Sequence, residues 1–373
     1  MTWRDCTLGE VVRFQRGHDL PEQDRKPGDV PVVGSAGLTG WHNEAIAKGP
    51  GVSIGRSGAS IGKVTYTPAD YWPHNACLYV TDFLGNCPRF IYYYLKTKDF
   101  TALNSGAAQP SLNRNFVHTV RARVPARATQ ECIVEVLSAY DDLIENNRRR
   151  IALLEEAARL LYREWFVYLR FPGREHVKVI DGLPKGWQPR ILGDVVELVK
   201  DTIKPSDFAD DEIHIGLEHI PRRSFTLAEW ESADGLVSGK TRFLGGDILF
   251  GKIRPYFHKV GFALRSGLAS SDALIWRVID DKDWPLVVCA TSSDYFVAVA
   301  SKTVREGSKM PRADWNVLKK YSVPKPPDGL LAAFNDTIRP ITTQCKTLAL
   351  QNRALTEARD LLLPRLTNGE IAV

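Results

Sequence analysis

From Ile133 onward, apolar or seam residues fall at Ile133, Leu137, Tyr140, Ile144, Asn147, Ile151, Leu154, Ala158, Leu161 and Trp165, and the spacing alternates four and three without a slip. That period keeps one stripe on one face of a helix, which is the seam of a coiled coil. The pattern returns at Phe334, Ile338, Ile341, Cys345, Leu348, Asn352, Leu355, Arg359, Leu362 and Leu366, each 201 residues after its counterpart. The first stripe predicts a helix from about Thr129 to Tyr168, stopped before Pro172-Gly173. In the second, Pro340 is expected to interrupt and kink the first turns, and Pro364 to end or bend the helix near the C-terminus.

A helix this long and amphipathic needs a partner, and the chain holds two. Antiparallel pairing with facing residue numbers summing to 499 sets Ile133 against Leu366, Trp165 against Phe334, and Asn147 against Asn352. A polar pair in an apolar seam lowers stability and fixes register. The alternative is that each Asn faces water where the helices splay. The seam from Ile133 to Trp165 is roughly 48 Å long at 1.5 Å per residue. It would hold two modules apart by about one helical turn of DNA, or a little more.

The duplication extends beyond the helices. "WRDCTLGEVV" at Trp3–Val12 returns as "WQPRILGDVV" at Trp187–Val196, 184 residues on. "GAAQPSLNRNFV" at Gly106–Val117 returns as "GSKMPRADWNVL" at Gly307–Leu318, 201 residues on, so the second copy carries 17 more residues in its middle. A shared frame with different centres predicts two modules of one shape and different targets. The boundaries read as a first module at 1–128, a central helix at 129–170, a linker at 171–184, a second module at 185–327 and a C-terminal helix at 328–373. Within the modules, "GSAGLTGW" and "GVSIGRSGASIGKVTY" are short β-type runs broken by glycine turns, and "FIYYYLKT" (Phe90–Thr97) reads as a short buried helix. In "GDILFGKIRPYFHKVGFAL" the apolar strand Ile248–Phe250 runs into Lys252, Arg254, Tyr256, His258 and Lys259. Basic and aromatic residues interleaved in this way suit a phosphate backbone with groove or stacking contacts. A solvated strand face with extended lysines is the alternative.

Composition narrows the class. The chain has 373 residues, 44% hydrophobic and 25% charged, with a net charge of +5. That is a folded chain of more than one domain, and its charge permits a polyanionic partner without requiring one. No apolar run approaches a membrane span, and "MTWRDCTLGE" lacks a signal-peptide core. The six cysteines form no CxxC pair and read as reduced cytosolic thiols in or near cores. "GASIGKV" has one residue too few between its glycines for a phosphate loop, and Val64 stands where a hydroxyl should bind magnesium. Asp272 with Asp280 and Lys282 faintly resembles a nuclease set, but an acidic surface loop is the better reading. No GxGxxG, GxSxG or HExxH motif is present, nor an Asn-Pro-Pro-aromatic run for a flipped base. The sequence argues for recognition without catalysis.

Over essentially its whole length the chain resembles the specificity subunits of type I restriction-modification systems. "GSAGLTGWHN", "IGRSGASIGKV" and "GAAQPSLNRNFV" are similar to that family's target-recognition domain, and "GKTRFLGGDILFGKIRPYFHKV" with "GSKMPRADWNVLKKYSVPKPP" to another version of it. "NNRRRIALLEEAARLLYREWFV" and "LTEARDLLLPRLTNGEI" resemble the central and C-terminal helical regions. The resemblance implies an α+β fold: two β-rich α/β target-recognition domains held apart by a long antiparallel two-helix coiled coil with pseudo-twofold symmetry. Each domain would read half of a split site in double-stranded DNA. The helices would set the unread spacer and dock two DNA-methyltransferase (modification) subunits, which restriction/translocase subunits can join. The chain itself would be non-catalytic and without cofactor. S-adenosylmethionine, ATP and Mg would belong to the partners, and the implied setting is the prokaryotic cytoplasm, associated with the nucleoid, in phage defence. No leader is expected before the first domain.

The DNA-contacting residues so implied are Arg56, Ser57, Lys63, Gln109, Ser111, Asn113 and Arg114 in the first domain. In the second they are Lys240, Arg242, Lys252, Arg254, Tyr256, Lys259, Ser271, Lys309 and Arg312. Arg can hold guanine with two hydrogen bonds, and Gln or Asn adenine. The alternatives are structural ion pairs for Arg254 and Arg312 and capping or turn roles for Gln109 and Asn113. Two other classes stay open: a nuclease acting alone, and a coiled-coil scaffold that binds protein.

Overall fold

The computed structural model describes residues 3–103, 111–302 and 311–373. They form two compact units: residues 1–143 with 355–373, and residues 144–354.

In the first unit, strands β1 (Trp3–Thr7), β2 (Arg13–Arg16), β3 (Val30–Gly34), β4 (Gly37–His42), β5 (Gly51–Gly55), β6 (Val64–Thr67), β7 (Trp72–Pro73) and β8 (Cys77–Asp82) precede helices α1 (Pro88–Lys96) and α2 (Arg114–Thr119). Strand β9 (Arg121–Pro125) then leads into α3 (Arg127–Tyr162). The strands pair as β2-β8-β5-β6, β4-β3-β7 and β1-β9. Helix α1 is the short buried helix that the sequence predicts: Phe90, Ile91, Tyr93, Tyr94 and Leu95 are all interior. They pack with Leu8, Val11, Ile54, Ile133 and Leu137, and with Leu363 and Leu366 from the far end of the chain.

The second unit contains the hairpin β10 (Val179–Ile180) and β11 (Leu183–Pro184), followed by the short α4 (Leu192–Val195). Strands β12 (Val196–Leu198), β13 (Thr202–Ile203), β14 (Ile213–Ile215), β15 (Thr226–Leu227), β16 (Glu231–Ser232), β17 (Lys240–Phe243), β18 (Ile248–Gly251), β19 (Val260–Ala263), β20 (Gly267–Ala269) and β21 (Ala273–Val278) follow. They build two five-stranded sheets, β12-β21-β18-β19-β15 and β13-β17-β20-β14-β16. Helices α5 (Trp284–Thr291), α6 (Asp294–Lys302), α7 (Trp315–Leu318) and α8 (Asp328–Thr367) complete the chain. The core centres on Phe250, Trp276 and Phe296, joined by Phe166, Trp187 and Phe334.

The repeat is visible in backbone hydrogen bonds. Leu8 N donates to Val120 O at 2.8 Å, and Leu192 N to Tyr321 O at 2.8 Å. The donors are 184 residues apart and the acceptors 201. A methyl group on Gly9 would meet His118 at 3.0 Å, and one on Gly193 would meet Lys319 at 3.2 Å. Both glycines therefore serve the same close approach of chain to chain. Each repeat's opening tryptophan packs against the end of the helix encoded by the other repeat. Trp187 meets Phe166 and Phe171 at ring distances of 5.3 Å. Trp3 lies under Gly369, where a methyl group would come within 2.8 Å of the indole.

All twenty seam positions are buried or half-buried. In the second unit Trp165 packs on Phe334 at 5.8 Å. In the first, Ile133 and Leu366 share one core, and Arg359 pairs with Asp141 at 2.5 Å. After α3 the chain makes one π-type turn, Arg163–Val167. The expected interruption at Pro340 is corrected: α8 runs from Asp328 to Thr367 through both Pro340 and Pro364. Both prolines sit on the exposed face, where the carbonyl left without an N–H partner one turn earlier can bond to water. The six cysteines are unpaired; Cys77, Cys289 and Cys345 are buried, and Cys132 is exposed beside the core residue Ile133. Among the described residues no helix is long and apolar enough to cross a membrane.

Candidate nucleic-acid interface

In both units the residues just past a central strand are zipped to the segment that leads into a short helix. In the first unit β5 ends at Gly55, and Ser57 bridges Ser111. Leu112 N donates to Arg56 O at 2.8 Å. In the second β18 ends at Gly251, and Ile253 bridges Arg312. Ala313 N donates to Lys252 O at 2.8 Å. The short helices are capped alike: Asn113 accepts from Asn115 N, and Asp314 from Asn316 N, each at 2.9 Å. One frame thus presents Arg56, Ser57 and Ser111 in one unit, and Lys252, Ile253 and Arg312 in the other.

In the first unit the guanidinium of Arg56 donates to Asn75 O at 3.3 Å and Ser111 Oγ at 3.1 Å. Burial, with Arg16 nearby, pushes its pKa below the ordinary value. A cation held in this way would gain from an anionic ligand. Arg16, at the end of β2, was not singled out from the sequence because nothing local marks it. Ser57 is half-buried, and its carbonyl accepts from Ser35 Oγ at 2.8 Å. Lys63 and Arg114 are exposed. Asn113 uses its side-chain oxygen as the helix cap. Gln109 lies outside the described residues.

In the second unit the β18–β19 connection, residues 252–259, carries four of the nine candidates. Arg254 and His258 both adopt left-handed backbone, φ 49° and φ 56°. Such conformations cost non-glycine residues about 1–2 kcal/mol each and concentrate at functional loops. Tyr256 is 55% exposed, and its ring lies 4.9 Å from Phe257. Arg254 stands over Phe257 at 6.0 Å, and Arg222 over the same ring at 4.0 Å. Lys252 donates to Ser271 O and Lys259 to Leu217 O. Burial, then the nearby Arg222, lowers the pKa of Lys259. Arg312 pairs with Asp272 at 3.5 Å. The loop is anchored below by His258, whose Nε2 donates to Ser292 O at 2.9 Å while Nδ1 faces Asp294 at 3.4 Å. Burial holds the His258 pKa below the usual imidazole value.

Lys240 and Arg242 stand apart from this loop, on β17 of the other sheet. Lys240 is buried and donates to Ser238 O and Oγ at 3.2 and 2.6 Å. Arg242 pairs with Glu212 at 3.3 Å. Lys309 lies outside the described residues. Asn352 Nδ2 donates to Ile144 O at 3.1 Å, one turn from the buried Asn147. Arg222, Arg223 and Phe257 were missed by sequence reasoning. Arg222-Arg223 is a bare dipeptide in a loop, and only the fold brings it to the ring of Phe257.

His214, His219 and Glu231 come close enough to hold a metal ion, one atom from each lying within 4.8 Å of the others. The hydrogen bonding favours a polar clasp instead. Gly216 N donates to His219 Nδ1 at 3.0 Å, so the proton of the neutral ring sits on Nε2, facing Glu231 at 4.0 Å. His214 Nδ1 lies 2.8 Å from the same carboxylate, and this contact lowers the pKa of Glu231.

Residues 1–156 match the family described as the type I restriction modification DNA specificity domain. The chain is 25% identical over 312 residues to the MjaIX type I restriction enzyme specificity subunit of Methanocaldococcus jannaschii, covering 78% of this chain and 70% of that protein. It is 23% identical over 357 residues to the EcoDI specificity subunit of Escherichia coli, covering 87% of this chain and 78% of the other. Its fold matches the crystal structure of the type I restriction-modification S subunit from M. genitalium with a TM-score of 0.63 and 15% identity, covering 98% and 96% of the two chains.

Proposed function

We propose that this chain, which stands with the type I restriction-modification specificity subunits, reads a split double-stranded DNA site and docks the subunits that act on it. The observation that carries the reading is the same strand-to-loop bridge built twice with different side chains. Arg56, Ser57 and Ser111 occupy it in one unit, and Lys252, Ile253 and Arg312 in the other. One frame with two sets of donors suits two half-sites of different sequence.

In this reading the modules at 1–128 and 185–327 are the target-recognition domains. Lys63, Arg114, Lys252 and Lys259 hold phosphates. Arg56, Arg254 and Arg312 are base readers, Tyr256 makes stacking or groove contacts, and Ser57, Ser111 and Ser271 add short polar contacts. Gln109 and Lys309 belong to the same bridging segments. Asn113 caps its helix and reads no base. Lys240 and Arg242, tied to Ser238 and Glu212, support their sheet. Asn147 and Asn352 set the helix register. The two long helices set the spacer and dock two methyltransferase subunits, with restriction/translocase subunits joining that complex. The chain supplies position and sequence choice; methyl transfer and ATP-driven steps belong to the partners.

The test is duplex binding by the chain assembled with its methyltransferase partner, measured against salt. Each phosphate neutralised should contribute about −0.9 to the slope of log K against log salt. A steep linear fall supports the reading. No DNA shift by an assembled complex at any salt overturns it in favour of a protein-binding scaffold.

A further inference from the structure

Glu155 projects from α3 one residue off the apolar seam, yet its side chain is 3% exposed. A buried carboxylate on a coiled-coil helix needs strong partners. Its Oε1 accepts from Ser224 Oγ at 2.8 Å, Phe225 N at 3.1 Å, Thr226 N at 3.0 Å and Thr226 Oγ1 at 2.7 Å. Its other oxygen takes Arg159 at 3.2 Å. Arg159 in turn donates to Arg223 O at 2.6 Å and lies over the Phe225 ring at 5.4 Å. One helix turn therefore grips consecutive backbone groups from Arg223 to Thr226.

The gripped segment begins with two exposed arginines. Arg223 has left-handed backbone, φ 58°. Its amide donates to His258 O at 3.0 Å, and its side chain pairs with Asp294 at 2.8 Å. Arg222 is thereby set over the face of Phe257, with Arg254 on the same ring. A guanidinium stacked on an aromatic ring has its plane fixed and its donors turned outward, the preorganisation that phosphate or guanine contacts require. The repeat does not duplicate this carboxylate: the residue 201 positions beyond Glu155 is Thr356.

We infer that Arg222 is a DNA-contacting residue of the second module, and that Glu155 with Arg159 is the positioning pair that holds its loop to the spacer helix. The inference rests on the DNA-reading function proposed above and adds a residue and a mechanical link to it. The link makes the orientation of one recognition loop depend on the helix that sets the spacer.

The experiment uses the chain assembled with its methyltransferase partner and a duplex carrying the methylated site, in a salt titration. Arg222→Ala removes an exposed side chain and should fold normally. It should weaken binding about tenfold and flatten the salt slope by about one. Glu155→Ala should produce the same change, and Glu155→Gln, which keeps an acceptor for the loop, should restore most of the binding. In the Arg222→Ala background Glu155→Ala should add little, because both act through one contact. Unchanged affinity and slope in Arg222→Ala, or fully additive losses in the double variant, overturn the inference while wild-type binding still stands. A wild-type complex that binds no DNA overturns the underlying reading and the clasp with it.

Discussion

Arg254 and Arg312 stand close together at the bridge, but their surroundings differ. Arg254 is exposed above Phe257, and Arg312 is balanced by Asp272 at 3.5 Å. Arg254→Ala should therefore cost about 1–3 kcal/mol on the cognate site and relax one base position in the methylated motif. An unchanged motif removes Arg254 from the base readers. His258 makes a pH prediction. Its pKa is lowered in the folded chain by burial, so between that value and its ordinary 6.5 the unfolded chain binds more protons. Stability is then full above about pH 6.5 and falls as the pH drops below it. Thermal melts near pH 7.5 and 5.5 should show the loss, and His258→Gln should lessen it; a wild type more stable at the lower pH contradicts the assignment. Basic and aromatic alternation marked Lys252 to Lys259 in the sequence as a candidate contact segment. Arg222 and Arg16 were not marked, because Phe257 and Arg56, which they approach, lie in loops 35 and 40 residues further along the chain. Lys240 and Arg242 share the basic composition, and on β17 they contact Ser238 and Glu212.

The long helices were the most legible elements, because a four-three period sustained over many turns matches one face of a helix and no strand or loop. The interruption expected at Pro340 was a misreading, since the cost of a helix proline depends on which face it occupies, and Pro340 lies outward. Glu155 was also hidden, because a carboxylate one step off the seam looks like a solvated flank until Ser224 to Thr226 close over it. Replacing Asn147 and Asn352 together by Leu should raise the thermal midpoint by roughly 2–4 °C, the shift expected for about 1 kcal/mol in a unit of this size. A lower midpoint would mean that the pair stabilises the fold as well as setting register. A matched heptad inserted between Asn147 and Ile151 and between Leu348 and Asn352 should lengthen the helices by about 10 Å. The unread spacer should grow by about three base pairs with both half-sites kept. Changed half-sites with an unchanged spacer would contradict the ruler role.

At the scale of the whole molecule, two offsets carried the architecture. The 184-residue and 201-residue matches meet in hydrogen bonds that the fold makes twice, Leu8 to Val120 and Leu192 to Tyr321. What the sequence could not reveal is that each module's opening tryptophan packs on the end of the other repeat's helix, Trp3 under Gly369 and Trp187 against Phe166, because neither contact leaves a local pattern. The proposed function gives the duplication a meaning: a target that is also in two parts. The direct test is to map methylation across the genome of a host that expresses the methyltransferase partner, with and without this chain. A split motif with a fixed spacer should appear only when the chain is present. No chain-dependent methylation from a complex shown to assemble would contradict it.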